Sequence, residues 1–366
     1  MHSIPDITFV GGGITGLLSA RLFSLAGANV TIIDKGRIGY ESSWAGGGIL
    51  LPLYPWRQAD AITQLVIPSI AGYPELAKIL YESTELDPEY IVSGLLMTQL
   101  NDLDKAQEWC SSYNVDFCTA TGELLQSFPQ INDQSLYLPG IAQARNPRLL
   151  KSLKHNLVQR GVTIIENCAI ERVSLKNNHI TEIASDSATF PINQLVITAG
   201  AWTGKLWPQL FPDKTNDYPK IFPVKGQMIL FDAPLHTLDT MILVNDRYLI
   251  PRQDGKILCG STVEDASFDK TLSTQVQHSL AQFARKLLPA LESAPIIHHW
   301  AGIRPGTQHG IPYIDKHSSI NNLAISAGHF RNGFAMGPAS AQMLYEIICS
   351  QTTTLDSAPY QLSRQH

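Results

Sequence analysis

Apolar residues in this chain gather into short runs that end at glycine clusters, and the stretches between the runs carry helical periodicity. Ile7–Val10 is one such run. Gly11, Gly12 and Gly13 close it, an amphipathic stretch follows from Thr15 to about Ala26, and a second run, N-V-T-I-I-D, ends at Asp34. Four apolar residues, a tight turn, a 3.6-residue period and a further apolar run predict a βαβ unit. The theme returns twice. Gln194–Gly204 (Q-L-V-I-T-A-G-A-W-T-G) is again an apolar run entering a glycine turn, as though the chain had come back to its first sheet, and Asn321–Ile348 reads strand, glycine loop, helix.

The segments between these runs have a different character. From about Gln64 to Leu157 the pattern is helical and polar, with L-A-K-I-L-Y-E and L-L-K-S-L-K-H-N-L-V among its periodic stretches. Between Tyr218 and Asp265 it alternates with period two, in P-V-K-G-Q-M-I-L-F-D, M-I-L-V-N-D, Y-L-I-P-R and K-I-L-C-G-S. That predicts a run of strands, with Asp254-Gly255 as a hairpin turn. A helix over Ser279–Ala290 follows, and no repeat of solenoid length is present.

Composition narrows the picture. The chain has 366 residues, 44% of them hydrophobic, which suits two domains or one domain with a large insertion. Lys and Arg number 27 against 32 Asp and Glu, giving a net charge of -5 without any basic run, so a nucleic-acid partner is not expected. The five cysteines form no C-x-x-C pair and keep no ligand spacing to histidine, so no metal is expected, and their odd number fits a reduced cytoplasm. The start, M-H-S-I-P-D, lacks a basic leader region, and no stretch approaches the roughly 20 apolar residues that span a bilayer. The expectation is a soluble cytoplasmic protein with no membrane partner.

Gly11-x-Gly13-x-x-Gly16 lies where a strand passes into a helix, and Asp34 closes the next strand 18 residues after Gly16. Glycines there permit a tight turn and let a helix N-terminus approach a pyrophosphate, while the carboxylate can accept both ribose hydroxyls. An acid at this point disfavours a 2′-phosphate. The fingerprint by itself does not separate FAD from NAD. Two further glycine loops, Glu41–Leu50 with Ser42, Ser43 and three consecutive glycines, and Ala327–Gly337, would surround a cofactor longer than NAD. FAD is therefore the preferred reading, with ordinary turn chemistry the alternative for either loop alone.

Arg304, in W-A-G-I-R-P-G, and Arg331 both sit among glycines and apolar residues at the ends of expected strands. Each either snorkels to water or waits for an anion in a cavity. Tyr248 reads first as a strand aromatic with its hydroxyl at the sheet rim, although two arginines with a tyrosine would make a carboxylate clamp. His298 and His299 are neighbours on an expected strand, so they face opposite ways and share no ion. His329 is either a flavin contact or a structural cap. Cys259 reads as inert core.

These segments, taken in order, carry a resemblance. G-G-G-I-T-G…D-K, E-S-S-W-A-G-G-G, I-T-A-G-A-W-T-G, P-V-K-G-Q-M-I-L, Y-L-I-P-R-Q-D-G, W-A-G-I-R-P-G-T and G-H-F-R-N-G resemble the FAD-dependent amino acid oxidases of the D-amino acid oxidase type over nearly the whole chain, and within them most closely the members that oxidise glycine. The resemblance implies an α/β fold, with a Rossmann-like FAD-binding domain made of residues 1–85, 145–215 and 300–366. An α+β substrate domain with a mainly antiparallel mixed sheet takes residues 86–144 and 216–299. It implies that FAD is held by Gly11, Gly13, Ile14, Thr15, Gly16, Asp34 and Lys35, by Ser42, Ser43, Gly47, Gly48 and Ile49, by the backbone of Val173, and by His329, Phe330, Arg331, Asn332, Gly333 and Phe334. Substrate would be bound by Tyr248, Arg304 and Arg331. The cysteine that tethers FAD in some relatives has no counterpart between Gly306 and Ser318, so the flavin is expected to be non-covalent. The expected activity is oxidative deamination of glycine and other small amino acids with O2 as acceptor, in a homo-oligomer, a tetramer by resemblance, on the thiamine thiazole route. A D-amino acid dehydrogenase that passes electrons to a quinone is the alternative. Asp246 and Arg247, just before Tyr248, are expected to bias substrate size or charge.

Overall fold

In the computed structural model, which describes residues 5–119, 135–212 and 218–364, Ile7–Val10 is an inner strand of a six-stranded sheet. The order across this sheet is Tyr313–Lys316, Leu323–Ala327, Gln194–Ile197, Ile7–Val10, Val30–Ile33 and Thr163–Ile165. All neighbours run parallel except the edge strand Tyr313–Lys316. Inner parallel strands are covered on both faces, which is why they are continuous apolar runs. The expected return of the chain is realised, since Gln194–Ile197 lies against Ile7–Val10 in register.

The alternating side chains of Ile7–Val10 feed two cores. Ile7 and Phe9 pack with the first helix, Ile14–Leu25, and with the helices Asp60–Thr84, Asn146–Gln159 and Gly333–Ile348, while Val10 faces a separate cluster around Ile183, Leu195 and Trp207. A small antiparallel sheet of Arg172–Lys176, His179–Ala184 and Thr189–Pro191 carries that second cluster.

The other large sheet has eight strands in the order Ile296–Gly306, Phe222–Phe231, Ile257–Gly260, Arg247–Pro251, Met241–Val244, Leu95–Thr98, Leu136–Leu138 and Cys118–Thr119. It is antiparallel except where Leu95–Thr98 runs parallel to Met241–Val244. One face, with Ile229, Phe231, Leu249 and Cys259, is buried under the helix Thr274–Leu287. The opposite face turns towards the parallel sheet. The chain is thus α/β, a Rossmann-like parallel sheet joined to a mainly antiparallel mixed sheet, as its pattern and resemblance led one to expect.

Three expectations are corrected. The stretch from Gln64 to Leu157 is not uniformly helical: Tyr90–Val92, Leu95–Thr98, Leu136–Leu138 and Ala142–Ala144 are strands. They are three or four residues long, and Leu95–Thr98 is buried on both faces, so it shows no alternation. The division at residue 300 falls inside a single strand, because Ile296–Gly306 pairs with Phe222–Phe231 along its whole length. The run M-I-L-V-N-D is a strand only to Val244, because Asn245 and Asp246 are turn residues with φ of 45° and 66°, the left-handed pair that a tight hairpin favours. The expected hairpin at Asp254-Gly255 is present, with Gly255 at φ 82°. Of the expected domain ranges, residues 1–4, 120–134, 213–217 and 365–366 lie outside the described residues.

Candidate functional site

A cavity of about 480 Å³ opens between the carboxyl ends of the parallel strands and the inner face of the antiparallel sheet. Val10, Asp34, Thr198 and Ala327 mark the strand ends on one side, and Met228, Tyr248 and Arg304 the sheet on the other. Ligands of open α/β sheets bind at this place for topological reasons.

The first glycine turn is shaped by close approach. Gly11 has φ 115°, and a Cβ there would strike the carbonyl of Thr198 on the returning strand. A Cβ at Gly16 would strike the carbonyl of Gly11, so the helix can rest on the turn only as glycine. Helix Ile14–Leu25 then points its free N–H groups at the cavity. Ser43 Oγ already accepts from Ile14 N at 3.0 Å, tying the second loop to the first. Asp34 accepts from Gly12 N at 2.7 Å and Gly36 N at 2.9 Å, and burial nevertheless raises its pKa. Lys35 stacks 3.5 Å over the Trp202 ring, and burial lowers its pKa.

The second loop is held from behind. Asn146 Nδ2 donates to Ser43 O at 2.8 Å, Arg252 Nη2 to Gly47 O at 2.8 Å, and Ala144 N to Gly48 O at 2.9 Å. Because a trans peptide sets each N–H opposite the preceding C=O, pinned carbonyls fix where the N–H groups of Gly48 and Ile49 point. Ser42 Oγ donates to Ile303 O, and Trp300 Nε1 to Ala45 O at 3.2 Å. In the third loop His329 is buried, with Nε2 3.0 Å from Ser340 Oγ, and burial lowers its pKa to about 3. The imidazole is neutral. Phe330, at φ 47°, donates its N–H to Pro305 O at 3.0 Å, and Asn332 Nδ2 donates to Gln58 Oε1 at 2.9 Å. Gly333 opens the last long helix.

Arg304 does not snorkel. Its guanidinium lies over Gly226, where a Cβ would collide with it, and Nη1 donates to the carbonyls of Lys225 at 3.2 Å and Thr262 at 3.0 Å. Burial lowers its pKa to about 10, with the nearby charge of Arg331 acting in the same direction. It remains a cation at neutral pH. Arg331 also lines the cavity, and its Nη2 is buried with no hydrogen-bond partner. Among the described residues neither arginine meets a carboxylate within salt-bridge distance, whereas Arg145 pairs with Glu89 and Asp254. Tyr248 is buried on the same wall between Gly47 and Gly260, not at the sheet rim.

The residues present fit FAD. A glycine cradle no side chain would fit, a helix N-terminus, an acid at the second strand end and a buried unpaired guanidinium nitrogen supply what a long, anionic dinucleotide needs. Of the residues expected to hold it, all but Val173 are brought together: Gly11, Gly13–Thr15, Asp34, Lys35, Ser42, Ser43, Gly47–Ile49 and His329–Phe334 line the cavity or, for Gly16, pack directly beneath it. Val173 is the one residue of that set outside the cavity wall. It pairs with Ile183 in the small sheet and packs into that cluster, and the cavity wall there is made by Cys168, Ala169, Ile170 and Glu171. Arg247 is turned away from the expected role. Arg247 donates to Ser279 and lies over Phe283 on the far side of the sheet. His298 is exposed and His299 bonds Gln227, and Cys259 is core.

Sequence reasoning missed Thr198–Gly200, Trp202, Asn146, Gly226, Met228 and Arg252. Gly226 and Arg252 stand inside the resembling segments P-V-K-G-Q and I-P-R-Q-D-G, but nothing local says what they face.

Fold and site together define an FAD-dependent amino acid oxidase. The chain belongs to the DAO family of FAD dependent oxidoreductases, whose family model matches residues 6–347. It is similar to the glycine oxidase of Pseudomonas putida, 39% identical over 361 residues and covering 97% of each chain. It is also similar to the crystal structure of glycine oxidase from Geobacillus kaustophilus, with a TM-score of 0.90, 26% identity and full coverage of both chains. A bifunctional ThiO/ThiG protein of Synechocystis is 26% identical over 362 residues, which span 96% of this chain and 52% of that protein.

Proposed function

We propose that this protein oxidatively deaminates glycine, with sarcosine and small D-amino acids as further substrates, and that dioxygen is the electron acceptor. One glycine, one dioxygen and one water give one glyoxylate, one ammonia and one hydrogen peroxide. The observation that carries the reading is a pair of guanidiniums, Arg304 and Arg331, that face one cavity without a carboxylate of their own, Arg331 with an unpartnered buried Nη2, beside a buried tyrosine. Bound FAD supplies the two-electron oxidation. Arg304 binds the substrate carboxylate, held in place by its two backbone carbonyls. Two cations on the wall disfavour a substrate ammonium and so favour the neutral amine, whose lone pair the oxidation requires. His329, neutral and engaged with Ser340, has no proton to move, and no protein acid or base is needed.

The glycine oxidase relatives support the substrate, and the ThiO/ThiG relative supports a place in thiamine thiazole synthesis. The same reading carries a cytoplasmic homotetramer, non-covalent FAD, and a discontinuous FAD domain whose last segment starts after Gly306 rather than at residue 300. The test is anaerobic addition of glycine to the yellow protein, which bleaches it, followed by air, which restores the colour with one peroxide per turnover. Bleaching without peroxide in air would point to the quinone-linked dehydrogenase instead. Arg304→Ala is expected to raise KM for glycine at least tenfold with flavin retained, since a charge-assisted contact contributes about 1.5–3 kcal/mol. Unchanged kinetics would remove Arg304 from the site.

A further inference from the structure

Arg304 owes its direction to two peptide carbonyls, and both belong to a polar cluster on the other face of the sheet. Along Phe222–Phe231, Gly226 and Met228 face the cavity, so Lys225 and Gln227 face away from it. Lys225 and Gln227 are buried, and what they meet there is Glu264. Gln227 Nε2 lies 2.9 and 3.0 Å from the two oxygens of the Glu264 carboxylate, Lys225 Nζ lies 3.7 Å from one of them, and Thr262 Oγ1 donates to the other. The main chain repeats the link. Glu264 N donates to Lys225 O at 2.9 Å, the same carbonyl that receives Arg304 Nη1, and Gln227 N donates to Thr262 Oγ1 at 2.8 Å. Both carbonyls that orient the guanidinium thus sit on residues whose side chains are fastened to one carboxylate.

We propose that Glu264 is the positioning residue of the substrate-carboxylate anchor, acting through Thr262 and Lys225 on Arg304 while touching neither substrate nor flavin. This rests on the reading of Arg304 given above. Glu264 is absent from the cavity wall, so its removal leaves the flavin cradle intact. What it changes is the loop from Ser261 to Glu264. Without the carboxylate, the Gln227 amide and the Thr262 hydroxyl lose their shared acceptor, the Lys225 ammonium, still donating to Thr271 O, loses its ion pair, and Thr262 is free to carry its carbonyl away from Nη1. The guanidinium then samples several directions, and the cost falls on binding of a carboxylate ligand.

The experiment is a double-mutant cycle on the FAD-loaded enzyme with Glu264→Ala and Arg304→Ala. Glu264→Ala alone is expected to raise KM for glycine about tenfold, the size of a lost charge-assisted contact, with kcat and the FAD dissociation constant within about twofold. In the Arg304→Ala background the same change is expected to add nothing, because the two residues act in series. Acetate binding, read from the flavin absorbance spectrum, follows the same cycle without any turnover. It therefore tests the inference even if glycine proves not to be the substrate, a result that would sink only the functional reading. Thr262→Val, which removes the hydroxyl and keeps the carbonyl, gives a smaller increase in the acetate dissociation constant and replaces Glu264→Ala if that variant does not fold. Equal effects of Glu264→Ala in both backgrounds, no effect in either, or loss of FAD as the main consequence would each overturn the proposal.

Discussion

At the cavity wall the charge state of each side chain follows from what surrounds it. Burial brings Arg304 down to about 10, still far enough above neutrality for a permanent cation, and so makes an anion the ligand that completes it. His329 shows the same desolvation acting on a group that titrates near neutrality. Its folded pKa is pushed down to about 3 from an ordinary value of 6.5, so between those values the unfolded chain binds a proton that the folded chain refuses. Stability is therefore expected to be fully present above pH 6.5 and to fall as the pH drops towards 3, by up to about 1.4 kcal/mol per pH unit from this group. Urea midpoints of the holoenzyme measured across that range check it. A His329→Gln variant should lose part of this acid slope, and an identical slope in both proteins would show that the imidazole is not held neutral.

At the scale of elements, the paired strands Ile296–Gly306 and Phe222–Phe231 do more than close a sheet. Gly226 and Gly302 are register partners, and the gap they leave receives the Arg304 guanidinium on one side and Ala45 of the second loop on the other. Glycine inside a strand normally weakens it, so on propensity alone Gly226→Ala should be neutral or stabilising. Here the added methyl displaces a flexible guanidinium, not the backbone. The expected outcome is an unchanged or higher melting temperature together with a rise in KM for glycine of about tenfold, as for a lost charge-assisted contact. A variant with wild-type KM would mean that the guanidinium need not lie over residue 226. The last long helix shows a similar division of labour. Pro338 has no N–H for the Phe334 carbonyl, and Tyr73 from Asp60–Thr84 donates to that carbonyl at 2.7 Å instead, while Ser69 Oγ accepts from Ala339 N at 3.0 Å. The turn that presents His329–Phe334 is therefore steadied by a helix remote in sequence.

At the scale of the whole molecule, the cofactor cavity separates two sheets and is walled by segments far apart along the chain, from residues 10–53, 146–209, 226–248 and 302–334. A ligand there adds contacts to both sheets at once and binds only the folded state. Stripping FAD is expected to lower the melting temperature, and adding it back at a hundred times its dissociation constant should restore about 2.7 kcal/mol. Thermal melts of apoprotein with and without FAD check this, and coincident melts would contradict a cofactor bound between the sheets.

Much of this was legible in the sequence. The strand, glycine turn and helix that begin the chain, the acid at Asp34, the return at Gln194–Gly204 and the late strand, loop and helix are written in local periodicity, because a parallel strand buried on both faces and a tight turn each demand particular residue types in a row. Arg304, Arg331 and Tyr248 were visible as candidates through a resemblance that reaches across the chain. Which of the alternatives each adopts was not. Whether Arg304 reaches water depends on Gly226 in another strand, and whether Tyr248 lies at a rim depends on Gly47 and Gly260. Arg247 went astray for the same reason, since alternation along a strand says that a side chain points to one face but not what that face meets. The sequence by itself determined the elements outside Gln64–Leu157, the cofactor class and the residues with chemistry to offer. Only the tertiary structure decided which of those residues share a cavity, because that depends on contacts between segments far apart along the chain, and it alone set Glu264 behind the anchor.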